Sequence, residues 1–151
     1  MLSVALYEPE IPGNAGAVAR LCAATGSPLH TIGRLGFSFT HPTARRAMMD
    51  YRDHLDLRQH VSYSDFRAAI APSRVWMLST RGTVPLWDAE FDEGDVLLFG
   101  PESRGLPAEL LESDPARTLR IPLRPPARSL NLSTAVGIAL YEALRQTGWR
   151  A

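Results

Sequence analysis

The stretch Phe99-Gly-Pro-Glu-Ser-Arg-Gly-Leu-Pro107 sets two glycines, two prolines, an acid and an arginine directly behind the apolar run Val96–Phe99. Gly100 and Gly105 let a ligand approach the backbone closely, because they carry no Cβ. Pro101 and Pro107 stiffen the loop and offer no N–H donor. Such a loop holds main-chain amides and carbonyls in fixed positions. Two further polar loops follow apolar runs in the same half of the chain: Ser79-Thr-Arg-Gly82 behind Val75–Leu78, and the segment Pro122–Ser133 behind Leu119–Ile121. In a parallel sheet, ligands bind beyond the carboxyl ends of the strands. A tight turn accounts for any one of these glycines, whereas three such loops together read as a pocket.

Three polar side chains, Ser129, Asn131 and Ser133, alternate with Leu130 and Leu132 ahead of the last helical run. Asn131 or Ser133 would cap that helix, leaving amides at its positively polarised end. In Asn14-Ala-Gly-Ala-Val-Ala-Arg20, Asn14 is expected to cap the first helix, and Arg20 by spacing alone reads as a surface arginine. Ala135, Ala139 and Ala143 repeat every four residues, which suits close packing in the core or at a dimer face. Several familiar signatures are missing. There is no G-x-G-x-x-G after the first strand and no P-loop, and no nucleophile elbow. His30, His41, His54 and His60 lack metal-ligand spacing, so solvated or capping histidines and no metal are expected. The single cysteine, Cys22, sits between Leu21 and Ala23 in a helical pattern and is expected to be a buried structural thiol.

The elements that must carry these residues alternate. Strands are expected at Leu2–Tyr7, Leu29–Ile32, weakly at Leu55–Val61, then at Arg74–Ser79, Val96–Phe99 and Leu119–Ile121. Helices are expected from Asn14 to a stop at Gly26, over Thr43–Tyr51, over Ser64–Ala71 with Ser64 as cap and Pro72 beyond, over Pro107–Glu112, and over Asn131–Gln146. The segment around Phe37 and Phe39 reads as a loop with exposed aromatics. The stretch from Thr80 to Asp95 reads as a polar connection. Alternation of this kind predicts an α/β domain with a mainly parallel sheet flanked by helices.

The chain has 151 residues and a formal net charge of zero, so bulk charge announces no nucleic-acid partner. All 16 positive residues are arginines. Four of them, Arg117, Arg120, Arg124 and Arg128, fall in one acid-free stretch, and Arg45 and Arg46 form a second basic spot. Arginine makes forked bonds to phosphate that lysine does not. The N-terminal segment has no basic signal-peptide region, and no apolar run reaches membrane-spanning length. A single soluble cytoplasmic domain over residues 1–151 with no membrane association is expected.

The segments "YEPEIPGNAGAVARLCAATG", "LLFGPESRGLP" and "RIPLRPPARSLNLSTAVGIALYEALRQ" together resemble the three motifs of the SPOUT superfamily of RNA methyltransferases. The resemblance runs nearly end to end. It is nearest to the single-domain tRNA (cytidine/uridine-34)-2′-O-methyltransferases, which act on the wobble ribose of certain leucine tRNAs. It implies a C-terminal trefoil knot, S-adenosylmethionine as methyl donor, tRNA as substrate and a homodimer whose site is completed across the interface. By position, the cofactor pocket would involve Leu78, Ser79, Thr80, Gly100, Glu102, Gly105, Ile121, Leu123, Ser129, Asn131 and Leu132. Asn14, Arg20 and Tyr141 would match active-site or interface positions, with Arg20 implicated in catalysis. The family's usual N-T-G-N appears here as Asn14-Ala-Gly-Ala17, and Arg81 stands where lysine is common. A 2′-O-methyltransferase acting elsewhere on tRNA or on rRNA, and a non-catalytic RNA-binding knot protein, are the competing readings.

Methylating a ribose hydroxyl is an in-line displacement that needs alignment more than activation. An arginine as general base is costly. A guanidinium with a free pKa of about 12.5–13.8 needs roughly 7–9 kcal/mol to be neutral at pH 7. A clamp on the target phosphate that also stabilises the developing alkoxide is the better role for Arg20.

Overall fold

The structure, a computed structural model, describes all 151 residues. Seven strands form one sheet: β1 (Ser3–Tyr7), β2 (Leu29–Ile32), β3 (Leu57–His60), β4 (Val75–Leu78), β5 (Val84–Pro85), β6 (Val96–Phe99) and β7 (Thr118–Arg120). Their spatial order is β3-β2-β1-β6-β4-β7-β5, and every pair is parallel. Parallel neighbours need crossover connections, which helices most often supply. The helices are α1 (Pro12–Thr25), α2 (Pro42–Met48), α3 (Tyr63–Ile70), α4 (Ala108–Ser113) and α5 (Leu132–Gln146).

β2, β4 and β6 are buried along their whole length, as expected where helices cover both faces. The two-residue alternation of each strand then divides the core. Val4, Leu6, Trp76, Leu78, Leu97 and Phe99 meet Val18, Cys22, Val136 and Leu140 of α1 and α5. Ala5, Val75, Met77, Val96 and Leu98 meet Phe66, Leu106 and Leu111 on the other face. Cys22 is fully buried, and burial pushes its thiol up to about 12, which makes it inert packing.

Several local expectations are corrected. α1 begins at Pro12, where a missing N–H costs nothing, so Ile11 is the cap position and Asn14 lies inside the first turn. α3 is capped by Ser62, whose hydroxyl accepts from the Asp65 amide, so Ser64 is already helical. The connection from Thr80 to Asp95 contains β5 and a 3-10 turn over Leu86–Asp88, and it buries Leu86, Ala89 and Phe91. Those isolated apolar residues among acids carry no periodic signal. Phe37 and Phe39 are half-buried and meet edge to face. Ala139 and Ala143 are fully buried in the chain's own core, which settles the alanine repeat as core packing at those positions. α1 ends as expected at Gly26, with φ of 70°.

Two of the buried polar side chains, Asp95 and His30, brace neighbouring strands. Asp95, with 3% of its side chain exposed, accepts from Arg74 Nε at 2.8 Å, Arg74 Nη2 at 2.7 Å, Trp76 Nε1 at 2.8 Å and its own loop at Asp92 N. Burial pushes this carboxyl up, but the Arg74 fork, the Asp92 amide and the Trp76 indole outweigh it, so it stays below the usual range. Asp95→Asn is expected to lose about 2 kcal/mol of unfolding free energy, read by urea denaturation, because the charge-assisted bonds that the buried carboxylate accepts from Arg74 and Trp76 are weakened, while Arg74 keeps only the exposed Asp92 at 3.0 Å.

His30 is the second such group. It is buried rather than solvated, with Nδ1 2.9 Å from His60 Nε2 and the rings stacked. Burial, then the neighbouring His60 and Arg58, push its pKa down to about 4, with Asp56 opposing. An unfolded histidine titrates near 6.5. Between those values the unfolded chain binds a proton that the folded chain refuses. Stability is therefore fully present above about pH 6.5 and is lost as pH falls toward 4, by about 3 kcal/mol at most. Urea midpoints measured across that window should fall, and His30→Asn should flatten the slope.

Candidate active site

Strand order decides where the loops meet. β6 lies between β1 and β4, and β4 lies beside β7. The register aligns Leu6 with Phe99, Phe99 with Leu78 and Leu78 with Leu119. The loops after β1, β4, β6 and β7 therefore leave the sheet together at the carboxyl ends of its strands. They enclose a cavity of about 590 Å³, within the range of small-molecule sites. Leu78, Ser79, Thr80, Gly100, Glu102, Gly105, Ile121, Leu123, Ser129, Asn131 and Leu132 all line it, and so does Asn14.

The loops are held by backbone contacts that exclude side chains. A Cβ on Gly100 would overlap the backbone of Gly105 and Leu106, so the loop after β6 closes on itself. Gly105 has φ of 69° and its amide bonds Pro101 O at 2.9 Å. A Cβ on Gly82 would overlap the backbone of Leu119 and Arg120, so the loop after β4 crosses the end of β7 directly. The Ser79 amide donates to Leu119 O at 2.9 Å, and Arg81 Nη2 donates to Leu106 O at 2.9 Å. That last bond ties the loops after β4 and β6 together.

Glu102 and Arg104, which look unpaired in the sequence, find partners in the loop after β1. Glu102 accepts from the amides of Glu10 at 2.9 Å and Ile11 at 3.2 Å, and from Asn14 Nδ2 at 3.4 Å. Ile11 supplies no side-chain cap to α1, so Glu102 caps that helix from across the chain. A carboxylate suits this place because helix N-termini favour negative charge. Glu10 in turn accepts from the Ser103 amide at 3.0 Å and the Ser103 hydroxyl at 2.7 Å, and Glu8 pairs with Arg104. The Ser103 bonds, first the amide and then the hydroxyl, hold the Glu10 carboxyl below its usual value. Asn14 Oδ1 accepts from Asn131 Nδ2 at 2.9 Å. Asn131 Oδ1 caps α5 through the Ser133 and Thr134 amides. Asn14 thus bridges the loops that follow β6 and β7.

Most polar wall side chains are consequently spent on one another. Of the wall hydroxyls, those of Thr80 and Ser129 alone make no bond within the chain. What the cavity offers a ligand is main chain at Gly100–Gly105, those two hydroxyls, and apolar surface from Leu78, Ile121, Leu123 and Leu132. This fits a flat heterocycle with a polar tail, as in S-adenosylmethionine. Glu102 can contribute through its backbone, because its carboxylate is engaged. Arg20 and Tyr141 lie outside the cavity, and both are exposed. The Arg20 guanidinium carbon sits 5.5 Å from the centre of the Tyr51 ring.

Comparison with known proteins adds the family. Residues 1–141 match the SpoU rRNA methylase family. The chain belongs to that family. In Escherichia coli K12, a tRNA (cytidine(34)-2′-O)-methyltransferase is 46% identical over 150 residues, covering 99% of this chain and 96% of that protein. A solved structure concerned with 2-OH methylation of C/U34 on tRNA superposes with a TM-score of 0.90 at 54% identity, covering 97% of this chain and 95% of the other. An AdoMet-bound rRNA methyltransferase from Sinorhizobium meliloti superposes with a TM-score of 0.85 at 31% identity, covering 95% of this chain and 56% of that one.

In this SpoU-family chain, sequence reasoning missed the site's internal bracing: Ile11 on the wall, Glu102 as a distant helix cap, and the pairing of Glu8 and Glu10 with Arg104 and Ser103. The signal was there as two short charged loops without local partners, Glu8–Glu10 and Glu102–Arg104, but only the β1–β6 pairing puts them together. No group of three His, Cys, Asp or Glu is placed to hold a metal, and no helix is long and apolar enough to cross a membrane.

Proposed function

We propose that this protein transfers a methyl group from S-adenosylmethionine to the ribose 2′-oxygen of nucleotide 34, a cytidine or modified uridine, in tRNA, with leucine tRNAs as acceptors. The observation that carries this reading is the main-chain-walled cavity at the meeting of the loops after β4, β6 and β7, with Asn14 bridged into it. The named activity of the Escherichia coli relative supports the target.

When bound, S-adenosylmethionine supplies an electrophilic methyl carbon on a sulfonium centre. The chain's own task is then to orient and to exclude water. Leu78, Ile121, Leu123 and Leu132 would provide an apolar slot for the adenine, and the stiff Gly100–Gly105 backbone would hold the polar remainder. Asn14, held by Glu102 and Asn131 at the cavity wall, would help to orient the ribose hydroxyl. Arg20 would clamp the target phosphate and stabilise the developing alkoxide while the bond from the 2′-oxygen to the methyl carbon forms, the methyl–sulfur bond breaks to leave a neutral thioether, and the hydroxyl proton passes to an oxygen of that phosphate or to water.

Arg20 and Tyr141 sit on α1 and α5, which pack together, yet neither reaches its own protomer's cavity. That arrangement favours a homodimer in which a second copy completes the site. The close backbone crossings at Gly82 and Gly100, where no side chain fits, support a knotted path. The same reading makes the chain a single cytoplasmic methyltransferase domain.

Calorimetry with S-adenosylmethionine followed by transfer of a radiolabelled methyl to bulk tRNA tests the proposal. Stoichiometric binding and label in tRNA are expected. Cofactor binding with no transfer to any RNA would instead favour a non-catalytic RNA-binding protein.

A further inference from the structure

Arg20 stands in unusual surroundings for an exposed arginine. It makes no hydrogen bond and no ion pair within the protomer, although Asp50 and Asp53 lie in the neighbouring 3-10 turn, Met49–His54. What it touches is the half-buried Tyr51 ring. The backbone between them is shaped to bring this about. A Cβ on Gly16 would overlap Ala44 O and Ala47 Cβ, so α2 lies directly on the backbone of α1. α2 then ends at Met48, and the capping residue that follows, Met49, has φ of 54° and ψ of −138°, which are sterically disfavoured for any residue with a side chain. Met49 is itself 56% exposed, so its own packing does not account for this conformation. Strain at such a position persists where the surroundings over-determine it, and it clusters at functional sites. The turn at Met49 starts the segment that carries Tyr51 to Arg20.

We infer that Tyr51 is a positioning residue for Arg20: its ring holds the face of the guanidinium and leaves the N–H donors at the edge free for the target phosphate and the developing alkoxide. A carboxylate partner would bind those same donors and compete with RNA. A ring contact restricts the side chain's rotamers without occupying a donor. This inference rests on the catalytic role proposed for Arg20.

The test is single-turnover methyl transfer to tRNA by full-length protein, with turnover scaled to active sites counted by cofactor binding. Tyr51→Leu removes the ring at similar bulk and is expected to lower the rate constant about tenfold, with cofactor affinity within about twofold. Tyr51→Phe keeps the ring face and is expected to recover most of that loss. Replacing Tyr51 with pentafluorophenylalanine keeps the shape but reverses the ring's electrostatic face. It should match Tyr51→Leu in rate while its melting temperature stays with that of Tyr51→Phe. Equal rates for the fluorinated and Phe variants would overturn the inference, since packing alone would then explain the contact. Arg20→Ala run alongside separates the two layers. If Arg20→Ala stays active, the role of Arg20 fails; if it is inactive while Tyr51→Leu keeps full rate, only the role of Tyr51 fails.

Discussion

Arg20→Ala is expected to reduce methyl transfer to tRNA by at least about a thousandfold while changing S-adenosylmethionine affinity by less than about threefold. The two halves of this result have separate causes. Arg20 lies outside the cavity, so truncating it removes nothing that a cofactor would touch. The donors it would bring to the phosphate and the alkoxide matter most where negative charge develops, so their loss falls on the rate rather than on cofactor binding. Arg20→Lys keeps the charge but loses the planar fork, and it should recover only a minor part of the rate. A tenfold or greater loss of cofactor affinity in Arg20→Ala would contradict the assignment, because it would place Arg20 in the cofactor's own shell.

Gly100→Ala is expected to weaken S-adenosylmethionine binding by at least about a hundredfold and to abolish transfer with it. The added methyl meets backbone at Gly105 and Leu106, which cannot swing aside as a side chain would. The loop must open, and it also carries Glu102, Ser103 and Arg104. Opening it loosens the Glu102 cap on α1 and the Glu10–Ser103 bonds, so Asn14 shifts as well. Calorimetry reads the affinity, and a thermal melt separates local loss from unfolding. The adjacent β6 strand is fully buried, so the fold itself should survive. Unchanged affinity in a folded Gly100→Ala protein would show that this loop does not form the cofactor's seat.

Much of this was legible in the sequence because it depends on local rules. Val96–Phe99 reads as a buried parallel strand from its uninterrupted apolar run, and Gly26 reads as a helix stop from its tolerance of positive φ. The three polar loops could be located because glycine and proline mark them. Long-range features were not legible. Asn14 reads as a cap until Glu102, 88 residues away, is seen to take part in that job while bonding to it. His30 reads as a solvated or capping histidine until β2 and β3 pair and bring His60 against it. The two-residue β5 carries no periodicity, and only its pairing with β7 makes it a strand. Tyr51 has no sequence signal at all, since its contact with Arg20 depends on how α2 lies on Gly16.

The most direct measurement is nucleotide-resolution mapping of 2′-O-methyl groups in tRNA after incubation with the purified protein and S-adenosylmethionine. New methylation confined to the ribose of nucleotide 34, and lost with Arg20→Ala, is the predicted result. Methylation of a base, or of a ribose elsewhere with nucleotide 34 untouched, would contradict it.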